Sequence, residues 1–135
     1  MKQDEIKNGD WVLYHSAPIK VAETELELFS AWDMEGHFLG KIPYEDAAPI
    51  PLTKEILKEN GWQLYERRII TVSGVEWHDY INKNNALEIR LGSSSITGRR
   101  FGAYWFDALL KPFDSVHELQ HLLWVLDEDY DLKIV

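Results

Sequence analysis

The string that reads most directly as chemistry is His117-Glu118-Leu119-Gln120-His121, which by letter matches the HExxH pattern of zinc hydrolases. Two histidines four residues apart share one helix face and can ligate Zn²⁺, while the Glu between them activates the bound water. The setting argues against that use. Ser115 is a natural N-cap with Glu118 three residues on, so a capping box claims the carboxylate. A dication near the positive end of a helix is also disfavoured. A third ligand would have to come from Asp127, Glu128, Asp129, Asp131 or the distant His78. The zinc hydrolase, with His117 and His121 as ligands and Glu118 as base, is therefore carried as an alternative. The favoured reading needs no metal and no cofactor, and leaves both imidazoles half exposed on a helix surface.

Other chemistry-bearing groups are more diffuse. Asp127, Asp129 and Asp131 alternate like the first ligands of a calcium loop, but the Gly and Glu that such a loop requires further on are missing. Arg67-Arg68, Arg90 and Arg99-Arg100 could converge on an anionic partner, and wet loop-end arginines are the plainer account. Glu23, Glu25, Glu27, Glu76, Glu88 and Asp107 offer carboxylate pairs that spacing alone cannot assign. Aromatic residues are abundant: Trp11, Tyr14, Trp32, Trp77, Tyr104, Trp105 and Trp124 exceed what one small core needs. Exposed members would mark a partner surface, and Trp124, on the helix side away from the leucines, is the first choice, with Trp11, Trp32, Arg99 and Arg100 beside it.

The elements that must position these groups follow from periodicity. After Ser115, the residues Val116, Leu119, Leu122, Leu123 and Leu126 recur at helical spacing as one buried face, leaving His117, Gln120, His121 and Trp124 opposite. Residues 1–52 read as short strands (GDWVLY, PIKVAETELELFSAW, GHFLGKI, APIPLT) with turns at Gly9-Asp10 and Glu35-Gly36, a strongly bent antiparallel sheet of SH3-like barrel type. In it Leu26, Leu28 and Ser30 alternate with Glu25, Glu27 and Phe29 as a half-buried strand. Pro49 and Pro51 mark the internal boundary. Residues 53–135 then form an α+β unit: a short helix capped by Thr53 and stopped at Asn60-Gly61, four or five antiparallel strands, the closing helix across that sheet, and LKIV as an edge strand or packed tail. A loop is expected over Gly92 to Gly98 and turns at Ser73-Gly74 and Asn82 to Asn85.

Composition bounds the function. The chain has 135 residues, 45% of them hydrophobic and 13% aromatic, enough for a packed α+β fold. It has no cysteine, which excludes disulfides and thiolate chemistry and fits a cytoplasmic setting. No signal peptide or membrane span is indicated. A net charge of −9 repels phosphate backbones, so non-specific nucleic-acid binding is disfavoured, and an acidic mimic of nucleic acid acting on a host enzyme is a second alternative. No P-loop, dinucleotide fingerprint or nucleophile elbow is present.

Three segments in order, IKNGDWVLY, PIPLTKEILKENGW and VHELQHLLWVL with DLKI after it, resemble small uncharacterised proteins encoded by prophages and mobile elements of gut bacteria, whose versions read RIGNYV, IPLTEEILLKNGF and VHELQNLYFALTGEEL. The resemblance implies an origin and no reaction. It places Asn at position 121, so a second zinc ligand there would be peculiar to this chain, and it turns with a Gly near Asp127 to Asp129. Taken together, the sequence favours a non-catalytic accessory protein that binds another macromolecule, with a protein as partner and the oligomeric state open.

Overall fold

The computed structural model describes the backbone of residues 1–64, 70–72, 75–82, 87–94, 98–105 and 108–134, and the side chains of 1–64, 78–82, 87–90 and 113–134. The chain is mixed α+β with two antiparallel sheets and divides into two compact units. One is Met1–Leu52 with Ser115–Ile134, and the other covers Thr53–Asp114.

In the first unit, β1 (Trp11–Tyr14), β2 (Ala17–Thr24), β3 (Leu28–Asp33), β4 (Phe38–Pro43) and β5 (Ala47–Pro49) lie in the order β4-β3-β2-β1-β5. A 3-10 turn, Tyr44–Asp46, separates the last two. The order ends at β4 and β5, which are not joined, so no closed barrel forms among the described residues. Alternation assigns one face to the core: Val12, Ile19, Val21, Phe29, Ala31 and Ile42 are all buried and cluster with Ile6, Tyr44 and Ala47. Two bulges bend the sheet. One extra residue in β2 between Val21 and Glu23, and one in β4 opposite Phe29–Ala31, increase the local twist. Lys41, at φ 59, sits in the second of these.

The stretch read as one long strand is a hairpin. The chain reverses between Thr24 and Leu28, which resets the alternation, so Phe29 is buried and Leu26 projects 79% exposed from the turn. A second hairpin has no sequence signal. Tyr14 pairs with Ala17 around His15 (φ 48) and Ser16 (φ 65), a two-residue turn with both central residues left-handed, where Asn-Gly is the usual marker.

The second unit opens with α1 (Lys54–Glu59). Thr53 Oγ1 accepts from the Ile56 N–H at 3.1 Å, and Gly61 at φ 93 ends the helix where a Cβ would meet the Asn82 side chain at 3.2 Å. Ile56, Leu57 and Trp62 are buried as expected, and the Trp62 indole N–H donates to the Leu87 carbonyl. The strands β6 (Trp62–Leu64), β7 (Ile70–Val72), β8 (Val75–Asn82), β9 (Leu87–Ser94), β10 (Gly98–Trp105) and β11 (Ala108–Phe113) follow, in the order β11-β10-β9-β8-β6 with β7 also pairing β8. The expected Gly92–Gly98 loop is shorter than read, because β9 runs to Ser94 and β10 starts at Gly98. The run FGAYWFDAL, read as one strand, spans two. Pro112 belongs to β11, which ends the order, where a missing ladder N–H is tolerated.

The closing helix α2 (Val116–Val125) belongs to the first unit, not across the second sheet as the sequence suggested. The Val116 N–H donates to the Ile50 carbonyl, Pro51 bridges to Ser115, and the helix packs against β1. Among the described residues of LKIV, Leu132 to Ile134 form no strand, and Leu132 is buried as part of a packed tail. The helix ends in a Schellman arrangement: the Glu128 N–H donates to the Leu123 carbonyl and the Asp127 N–H to that of Trp124, with Asp127 itself left-handed at φ 57. A non-glycine residue in that conformation costs about 1 kcal/mol. Asp127→Gly, and separately Ser16→Gly, should therefore each raise the unfolding free energy by about 0.5–1 kcal/mol in urea titrations.

Candidate functional site

The HELQH segment is engaged in holding the first unit together. Ser115 does not close a capping box. Its hydroxyl donates to Glu118 Oε1 at 2.7 Å and lies 3.1 Å from His117 Nδ1, so the serine side chain is turned to its neighbours' side chains and not to a first-turn amide. His117 and Gln120 are buried, contrary to the half-exposed face expected for them, and His121 is only partly exposed. The tail from Tyr130 to Leu132 and the turn before β1 cover that side of the helix, which heptad-like counting of leucines could not anticipate.

Gln120 is saturated. Its Oε1 accepts the Trp11 N–H at 2.8 Å, and its Nε2 donates to the carbonyls of Gly9 (3.0 Å) and Tyr130 (2.9 Å). Asp10, also buried, anchors the same corner: Oδ2 accepts the Lys7 N–H at 2.8 Å and lies 2.6 Å from His121 Nε2. The His117 and His121 rings meet edge to face with centroids 5.7 Å apart. Burial holds the His117 imidazole below its ordinary value near 6.5, against the pull of the Asp10 carboxylate and with help from the neighbouring His121 ring.

These engagements bear on the zinc alternative. One ring nitrogen of each histidine faces a protein partner, the Glu118 carboxylate faces Ser115, and among the described residues no three His, Cys, Asp or Glu side chains gather in a metal-holding arrangement. The candidates Asp127, Asp129 and Asp131 lie beyond the helix end, Asp129 Oδ1 accepting the Asp131 N–H and Asp131 pairing with Lys20 at 2.9 Å.

Above the Asp10–His121 pair opens a cleft of about 420 Å³ walled by Lys7, Thr24, Trp124 and Tyr130. Trp124 is 55% exposed, as the sequence reading expected, but Lys7 Nζ sits 4.2 Å over its ring, so one aromatic face already holds a cation. Trp11 is half-buried on β1, with Lys20 Nζ 5.9 Å from its ring and its indole N–H enclosed without a partner.

A second aromatic surface lies on the first sheet. Cross-strand register places Trp11, Lys20, Trp32 and Phe38 in one row on the face of the first sheet opposite the core. At its β3–β4 end Trp32 (44% exposed) and Phe38 (57%) pack edge to face at 5.0 Å, and Met34 (56%) stands in the turn between their strands. The turn is tightly bonded. Asp33 Oδ1 accepts the N–H groups of Glu35 and His37, the Asp33 N–H donates to the His37 carbonyl, and the His37 ring lies 3.1 Å from Asp33 Oδ2. Those backbone donors hold the Asp33 carboxyl below its usual range, so it stays ionised. Trp32 was legible as a candidate; Met34 and Phe38 were not, because only the hairpin register puts them beside it.

On the second unit, Arg90 of β9 pairs with buried Asp79 of β8 at 3.0 Å and lies 3.7 Å from Glu88. Arg67 and Arg68 lie outside the described residues, as do the side chains of Trp77, Arg99, Arg100, Tyr104 and Trp105 and those of Glu76 and Asp107. No family model matches the chain, and no curated protein or solved structure matches it either. No helix among the described residues is long and apolar enough to cross a membrane.

Two outcomes follow for stability. Gln120→Ala leaves a buried N–H and two carbonyls without partners and should cost about 3 kcal/mol, and Gln120→Glu, which turns a carboxylate towards two carbonyls, should cost at least as much. For His117 the unfolded imidazole takes up a proton near pH 6.5 while the folded one requires more acid, so below 6.5 the unfolded chain binds more protons and stability falls with pH. Urea midpoints should therefore drop between pH 7.5 and 5, and His117→Gln should shrink that drop.

Proposed function

We propose that this protein is a non-catalytic module that binds another protein, with Trp32, Met34 and Phe38 as its contact surface. The observation that carries the reading is the hairpin itself: Trp32 and Phe38 packed edge to face and exposed, with Met34 exposed in the turn between their strands, a turn already bonded into shape. Exposed aromatic and Met side chains are where interfaces gather their binding energy, and a preformed turn lowers the ordering cost of binding. The catalytic reading has weaker support, since each polar side chain of HELQH has an atom turned to a structural partner.

The finer fold assignment belongs with this reading. A five-strand meander with β5 beside β1 and a 3-10 turn before β5 is the connectivity of SH3-like units, and we assign the first unit to that type as an open variant. On the sequence resemblance we further propose an accessory role for a prophage or mobile element, exercised in the cytoplasm. The resembling pattern reads Asn at position 121, a side chain able to hydrogen-bond to Asp10 as His121 does here, which supports a structural and not a catalytic task for that position.

The test is capture of partners from host cells by the tagged full chain and by the double variant Trp32→Ala, Phe38→Ala. The variant should lose no more than about 2 kcal/mol of unfolding free energy, since each ring has about half its surface exposed, and should lose the partner that the unaltered chain retains. Equal recovery by the two proteins would remove the reading.

A further inference from the structure

Charge in this protein is segregated between the units. Residues 1–52 and 115–134 contain fifteen Asp and Glu against five Lys and no Arg, whereas residues 53–114 contain eight against nine Lys and Arg, including all five arginines. The whole net charge of −9 therefore originates in the unit that exposes the aromatic hairpin. Its few cations are partly spoken for: Lys20 pairs with Asp131, and Lys7 lies over Trp124.

Around the patch itself the same imbalance holds. Asp33 and Glu35 flank Met34 on both sides, and the Glu35 side chain is 80% exposed. Lys20, directly across from Trp32, is accompanied by the exposed carboxylate of Asp131. His37 in the turn and Lys41 further along β4 are the nearest offsets. An apolar centre with a carboxylate rim fits one kind of occupant. Aromatic faces and ionised carboxylates both attract guanidinium and ammonium groups, and both disfavour phosphate or an acidic surface. We infer that the Trp32–Met34–Phe38 surface takes a cationic segment of a partner protein, one that sets Lys or Arg beside an apolar side chain. This rests on the protein-binding reading and names the chemistry of its partner. The charge of the unit speeds the encounter, the rim selects sign, and the aromatic pair supplies the anchor.

Three synthetic twelve-residue peptides test it on the full chain: alternating Arg-Leu, alternating Ser-Leu and alternating Glu-Leu. Binding is followed by amide and indole chemical shifts in two-dimensional NMR at 20 and 200 mM NaCl. The Arg-Leu peptide should shift Trp32, Met34 and Phe38, bind about tenfold more weakly at the higher salt, and lose about tenfold in affinity with Phe38→Ala. Glu35→Lys, a turn substitution that leaves the apolar trio in place, should weaken the Arg-Leu peptide and spare the Ser-Leu one. The Glu-Leu peptide should not bind. If the Ser-Leu peptide binds the hairpin as tightly as the Arg-Leu one, the cationic specificity is wrong while the hairpin remains a binding surface. If the Arg-Leu peptide binds without shifting the hairpin, or no peptide binds, the inference fails, and the cell-capture experiment judges the protein-binding reading separately.

Discussion

The first unit depends on one side-chain amide. Gln120, with almost no exposed surface, joins two stretches that are far apart in sequence: the Gly9–Trp11 entry into β1 and the tail at Tyr130. A buried amide with its donors and acceptor satisfied has few alternatives that leave nothing unpaired, so it specifies which helix face turns inward more sharply than leucines can. Asp10 adds a second tie at the same corner by taking the Lys7 N–H and facing His121. Together they explain why a helix more than sixty residues downstream returns to the N-terminal sheet.

The same contacts engage the side chains of the HExxH letters. Histidines spaced by four residues fall on one helical face whether or not a metal lies between them, and here the face is spent on internal contacts. Enzymes place a general base and its ligands where a substrate can arrive. In this helix, His117 and Gln120 are enclosed, while His121, paired with Asp10, lines the open cleft beside Trp124 and Tyr130.

The face of the sheet away from the core carries the features that point outward. Cross-strand pairing collects Trp32 and Phe38 from different strands, the Asp33-bonded turn adds Met34, and the acidic bias of the unit surrounds them with one sign of charge. Covering such a patch releases apolar surface from water, and carboxylates at its edge set the sign of what covers it.

Local chemistry determined a good deal of this in advance. Thr53 and Gly61 bound the short helix, Ser115 marks the start of the last one, the alternation in WVLY finds a strand, and the absence of cysteine removes whole classes of chemistry, because caps, turns and alternation act within a few residues. Trp124 was also identifiable as a surface aromatic by its position on the helix. What only the tertiary structure decided is long-range. The unit to which the last helix belongs, the burial of His117 and Gln120, the Asp10–His121 pair and the Trp32–Phe38–Met34 patch all depend on which distant segments meet. Periodicity names the residues that share a face of one element, but the free energy that chooses the neighbour of that face comes from hydrogen bonds and burial across the chain, which no window of sequence contains.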